Sequence, residues 1–189
     1  MDGTATAGGA PPRAGRAPAL TITVDGVSVP RHTAVPTVAF RLRLACAADT
    51  AVQCVALQAR LQVAAPRRTY DPGTRERLAE LFGPPQEWGR TLRGLLWTQA
   101  HVQVPAFTGT ATATLPVGCT YDFEVAVAKY FHGVPDGEIP LEFLFTGTVF
   151  YQDGDRLQAA HLPWDTEAEF RMPVRVWREA MDRHFPGAA

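Results

Sequence analysis

The sequence is poor in the residues on which most active sites are built. Its 189 residues include a single serine, Ser28, a single lysine, Lys129, and three cysteines, Cys46, Cys54 and Cys119. Ser28 lies in a turn without a GxSxG context, which argues against a serine hydrolase of the nucleophile-elbow kind. The cysteines form no CxxC pair and are odd in number, so neither a zinc knuckle nor a disulfide framework is indicated, and buried free thiols are expected. Cys119 is the best-placed candidate nucleophile, but Asp122 nearby in sequence would disfavour its thiolate. The P-loop and GxGxxG phosphate-binding patterns are both missing, which leaves a nucleotide cofactor unsupported. No run approaches the roughly twenty apolar residues of a membrane span. No apolar core follows Arg13 and Arg16, so a signal peptide is not indicated and the cytoplasm is the expected compartment.

Metal-ligand spacing is missing as well. The five histidines, His32, His101, His132, His161 and His184, show no HxH or HExxH pattern. A metal site would have to be assembled from distant strands, with His101 and His161 converging. Asp122 with Glu124, and Glu138 with Glu142, are closely spaced carboxylate pairs; the alternation places the first pair in water, where acid-base work has no pKa separation to draw on. The sequence therefore assigns no catalytic residue, no cofactor and no metal.

What is present is an ordinary globular composition, 46% hydrophobic and 20% charged, in a length suited to one domain. Net charge is −1. It is spread unevenly: residues 120–170 hold ten acids against Lys129 and Arg156, and the rest of the chain is net positive. A nucleic-acid binder needs a dominant basic face, so none is expected. An acidic face suits a basic protein partner or is simply solvated.

Residues 1–19 are rich in Gly, Ala and Pro and read as a disordered tail; residues 20–189 read as a single β-rich domain. Leu20, Ile22 and Val24 alternate with threonines before an Asp25-Gly26 turn. Val38, Phe40, Leu42 and Leu44 alternate with residues that include Arg41 and Arg43, and Val55, Leu57, Ala59, Leu61 and Val63 repeat the pattern, with a bulge expected near Cys54. Asp71-Pro72-Gly73 opens a helical insertion, Tyr70 to Trp97, whose first helix is stopped by Gly83-Pro84-Pro85. Strands follow at Thr98–Val104 and Thr108–Leu115. Tyr121, Phe123, Val125, Val127, Lys129 and Phe131 alternate and pair, across a 132–137 loop, with Ile139 to Phe145 as the best hairpin. Val149–Tyr151, the Asp153-Gly154 turn and Leu157–Leu162 form another. Pro173 opens a helix with Val174, Trp177, Met181 and His184 or Phe185 on one stripe. The expected fold is mainly β, an antiparallel sandwich or open barrel with a short helical insertion and a C-terminal amphipathic helix.

The aromatic side chains are the most suggestive feature. Trp97 falls out of phase with Ala100, Val102 and Val104, which predicts that it faces outward. With Tyr70, Trp88, Arg90 and Arg93 it forms a candidate interaction patch; the competing reading buries the rings as a satellite core.

The stretch from Tyr121 to Tyr151, LPWDTEAEFRMPVRVWREAMDRHFP from Leu162 to Pro186, APRRTYDP from Ala65 to Pro72 and LFGPPQEWGRTLRGLLW from Leu81 to Trp97 together resemble a bacterial family of unknown function, mainly actinobacterial. The resemblance implies a gene neighbourhood with nickel–iron hydrogenases, an accessory role beside such a redox complex, and a chain that continues beyond Phe185 to Gly187. The resulting expectation is a noncatalytic protein-interaction or accessory module with a protein partner. The alternative is a sandwich binding a small ligand or metal between sheet and insertion.

Overall fold

The computed structural model describes residues 17–47, 49–119 and 125–186. Residues 1–16 of the expected tail lie outside the described residues, as do Asp122, Glu124 and the start of the expected 121–131 strand.

Among the described residues nine strands form two antiparallel sheets. The first is β1 (Thr21–Ser28), β2 (Thr37–Ala45) and β6 (Thr110–Gly118), in the order β1-β2-β6. The second has β4 (Leu95–Val104), β3 (Ala51–Val63) and β7 (Glu138–Asp153) side by side, with β5 (Phe107–Thr108) on β3. The far edge of β7 carries β9 (Glu167–Pro173) on its first half and β8 (Arg156–His161) on its second. β4 adjoins β6 and β1 adjoins β9, so the sandwich is nearly wrapped into a barrel. The expected mainly β fold is the observed one.

Period-two alternation builds the core. Val55, Leu57, Ala59, Leu61 and Val63 of β3 are all buried, as are Ile139, Leu141, Phe143 and Phe145 of β7. Opposite them stands Phe40 of β2, whose ring meets Phe143, Phe170 and Trp97 edge-on at centroid distances of 5.1, 5.9 and 6.2 Å. The outer face of the larger sheet is polar: Gln58 donates to Gln99 at 2.9 Å, Gln62 to Glu142 at 2.6 Å, and Arg67 pairs with Glu142 and Glu169.

Three local expectations are corrected. Asp25 and Gly26 form no turn; β1 runs through them with a bulge between Val24 and Gly26. The bulge is held across the strand pair, where Arg41 Nε donates to the Asp25 carboxylate at 2.6 Å. The described part of the expected 121–131 strand is helical, α4 (Val125–Gly133). Its buried residues, Val127, Tyr130 and Phe131, followed by buried Val134, recur at i, i+3, i+4 and i+7. Alanine and lysine there favour a helix, and a short apolar run fits both periods. Ile139–Phe145 and Val149–Tyr151 are one continuous strand, β7, whose first half pairs with β9, a strand the sequence reading did not assign.

The helical insertion is present as α1 (Pro72–Arg77), α2 (Ala79–Phe82) and α3 (Trp88–Thr91). Asp71 caps α1 by accepting the Thr74 N–H at 2.9 Å. The C-terminal helix α5 (Val174–His184) buries Val174, Trp177, Ala180 and Met181, with Trp177 packed on Phe131 at 5.2 Å. Arginine forks tie the insertion and α5 to the end of α4 and the loop after it. Arg77 donates to the Gly133 carbonyl, Arg178 to that of Val134, and Arg68 to those of Asp136 and Glu138, all at 2.7–3.0 Å. Cations at a helix C-terminus oppose its partial negative charge, and Arg68 spans two carbonyls as a single ammonium would not.

Candidate functional site

The aromatic members of the expected patch are buried. Tyr70 and Trp88 pack edge-on at 5.4 Å, Trp88 meets Phe82 at 5.7 Å, and the Trp88 indole N–H donates to the Gly83 carbonyl at 2.9 Å. Trp97 is 3% exposed, with Phe131 at 5.1 Å. The reason is a register break: Leu61 pairs with Thr98 and Gln62 with Leu96, so Trp97 is the extra residue of a bulge. A bulge resets the alternation, and a residue out of phase with Ala100 therefore still points inward. Arg90 and Arg93 remain exposed, Arg90 beside Glu87 at 3.5 Å. The satellite-core reading describes these rings; a patch that needs them exposed does not.

The nucleophile and metal candidates are not brought together. Burial pushes the Cys119 thiol up to about 12, so it stays protonated at neutral pH. His101 is on β4 and His161 on β8, with β3 and β7 between them. Three inter-strand steps of ~4.8 Å separate them by about 14 Å, too far to share an ion. Among the described residues no three His, Cys, Asp or Glu side chains converge on one point.

The unusual surface lies elsewhere, on β8 and the turn that ends it. Trp164 is 87% exposed and Leu157 62%, the two most exposed large apolar side chains among the described residues. Leu157 is on β8. Trp164 is at the tip of a four-residue turn, Pro163-Trp164-Asp165-Thr166, that bulges from the sheet between β8 and β9. The turn is pinned at both ends. The Thr166 N–H and hydroxyl both donate to the Pro163 carbonyl (3.2 and 2.8 Å), Leu162 N–H donates to Gly147 O (3.0 Å), and Phe145 N–H to Thr166 O (2.8 Å). Trp164 is thus presented to solvent by an ordered turn. The signal for it was in the sequence, since Pro-x-Asp-Thr is turn chemistry and a tryptophan at its centre has no side of a sheet to enter.

β8 is also an edge. Among the described residues its only hydrogen-bonded neighbour is β7. The Leu162–Gly147 bond fixes the parity: in the same register Ala160, Gln158 and Arg156 turn their backbone groups to β7, and Leu157, Ala159 and His161 turn theirs outward. Small or exposed side chains at Leu157, Ala159 and His161 leave that edge approachable. Carboxylates flank it, with Asp153 and Asp155 at the hairpin end and Asp165 and Glu167 at the other, against Arg156 alone.

Several solved structures are distantly similar to the chain. A solution structure of a late embryogenesis abundant (LEA) protein matches at 14% identity and a TM-score of 0.35, over 82% of this chain and 71% of that one. A β-glucosidase from Kluyveromyces marxianus matches at 8% identity and a TM-score of 0.26, over 82% of this chain and 15% of that one. The same enzyme with glucose gives 9% and 0.25. None of these carries an argument about activity. No curated protein matches the chain. A family model does, across residues 17–189, a span that takes in all of the described residues: the chain belongs to a family of unknown function, DUF6084.

Proposed function

We propose that this chain is a noncatalytic protein-interaction module, an accessory to a larger complex, and that it meets its partner through β8 and the Trp164 turn. The observation that carries this reading is that, among the described residues, the two most exposed large apolar side chains, Leu157 and Trp164, coincide with a sheet edge that no described strand covers. Soluble monomers seldom hold a tryptophan so far into water. Covering a ring of roughly 200 Å² would contribute about 5 kcal/mol before the entropy of association is subtracted. The resemblance to proteins encoded beside nickel–iron hydrogenases makes such a redox complex the first partner to try.

The test compares the full-length tagged protein with its W164A and L157A variants, each purified from the native host. The wild type should retain a stoichiometric protein partner, and both variants should lose it with unchanged melting temperature. A wild type that purifies alone sinks the interaction reading. Undiminished retention by the folded variants moves the contact away from this surface.

A further inference from the structure

Resting on the interaction reading, we infer that the free edge of β8 takes an extended, basic segment of the partner as an added antiparallel or parallel strand, with Trp164 closing over one end. Three independent features of the surface point to this occupant.

The first is the backbone. Leu157, Ala159 and His161 present three N–H and three C=O groups outward, the pattern an incoming strand completes. Natural sheets protect such edges with inward charges, prolines or a covering element. Here the outward positions carry leucine, alanine and histidine, and no described strand covers them.

The second is the charge. Asp155, Asp165 and Glu167 bracket the edge, while its one formal cation, Arg156, stands opposite Asp153 of β7. A segment with arginine or lysine at its ends and apolar residues alternating between them matches both the carboxylates and the Leu157 side chain.

The third argues against a second copy of this chain as occupant. Two-fold pairing about Ala159 sets position 157 against 161 and brings Asp155, at the hairpin turn of each copy, towards Asp165 in the turn of the other. That places like charges together at both ends of a short interface. A basic strand removes the same repulsion.

The test uses two synthetic nonapeptides with blocked ends, Arg-Arg-Val-Thr-Val-Thr-Val-Arg-Arg and its counterpart with glutamate at every arginine. Each is titrated into the isotopically labelled full-length protein. The basic peptide should shift and protect from exchange the amides of Leu157, Ala159 and His161, leaving those of Gln158 and Ala160 nearly unchanged; the acidic peptide should not. Added salt should weaken binding. A proline at 159 removes an outward N–H and spares the bonds to β7, so A159P should stay folded and bind the basic peptide about tenfold more weakly. No protection at these three amides, equal binding of the acidic peptide, or unaltered binding by A159P overturns the proposal. Protection without peptide also overturns it: a concentration-dependent effect assigns the edge to a second copy, and a concentration-independent one to the chain itself. Should the peptide fail while W164A still loses its partner in the host, edge pairing falls and the interaction reading stands. Failure of both removes both.

Discussion

The phenol oxygens of Tyr70 and Tyr130 lie 2.7 Å apart in the buried seam between the helical insertion and α4, and the direction of their shared proton is determined. The Tyr70 oxygen is also 2.7 Å from the Ala65 carbonyl, which can only accept. Tyr70 therefore donates to Ala65, and Tyr130 donates to Tyr70. Both phenols are held above their ordinary pKa by burial, so the chain of two bonds stays protonated at neutral pH.

This order predicts unequal costs. Y70F strands the Ala65 carbonyl and the Tyr130 hydroxyl together and should destabilise by about 2–3 kcal/mol, whereas Y130F leaves the Tyr70–Ala65 bond in place and should cost about 1 kcal/mol. Urea unfolding of the two variants and the double mutant checks it, and the double mutant should fall short of the sum.

Gly147 should tolerate no side chain. It is in the centre of β7 between inward-facing Phe145 and Val149, opposite Leu57 of β3. A Cβ there would lie 2.1 Å from the Ala56 carbonyl oxygen, which is backbone and cannot swing aside. G147A is expected to destabilise by about 3 kcal/mol or more, or to prevent folding. In G133A the added methyl meets side-chain atoms rather than backbone, Leu78 Cδ2 at 2.6 Å and Cγ at 3.3 Å, so a smaller loss is expected. Thermal melts of the pair distinguish the two cases.

The four tryptophans should divide three to one. Trp88, Trp97 and Trp177 are buried and Trp164 is exposed. Acrylamide should quench a red-shifted component that W164F removes, with no change in melting temperature. A wild type with no quenchable component would mean that the turn is covered, and quenching that survives W164F would mean that one of the other three is open to solvent.

Acid should destabilise the protein in two windows. The His132 pKa is lowered, first by desolvation and then by Arg178, so the unfolded chain binds this proton more readily than the folded one. Stability is thus greatest above the ordinary histidine value of 6.5 and declines as pH falls below it. The Asp25 carboxyl is lowered by its hydrogen bond from Arg41, and that of Asp71 by its bond from Thr74. Their contribution is present above 3.8 and is lost as pH falls through their folded values. Denaturant midpoints between pH 8 and 3 should show both declines; H132Q should abolish the upper one, and D71N should diminish the lower one.

Cys119 should be silent towards thiol reagents in the native state, since its sulfur is buried and its pKa is pushed up to about 12. Labelling at Cys119 should follow global unfolding. Rapid native labelling there would revive a chemical role for the thiol.

The sequence by itself determined the elements whose neighbours do not interrupt them. The alternation of β2 and β3, the bulge near Cys54, the helical stop at Gly83 and the Val174, Trp177 and Met181 stripe of α5 are all local patterns, and each is present in the fold. Periodicity reports which side chains share a face for as long as the register is unbroken. Where a distant partner breaks the register, the report fails: the bulge opposite Leu61 and Gln62 turned Trp97 inward, and the packing of Tyr130 and Phe131 against the insertion, Trp97 and Trp177 selected a helix over a strand. The exposed edge was beyond the sequence for the same reason. Leu157 reads as an ordinary residue of the Leu157–Leu162 hairpin arm, and although the Pro163–Thr166 turn is local chemistry, only the assembly of β7, β8 and β9 decides that nothing described in the fold covers Leu157 and Trp164.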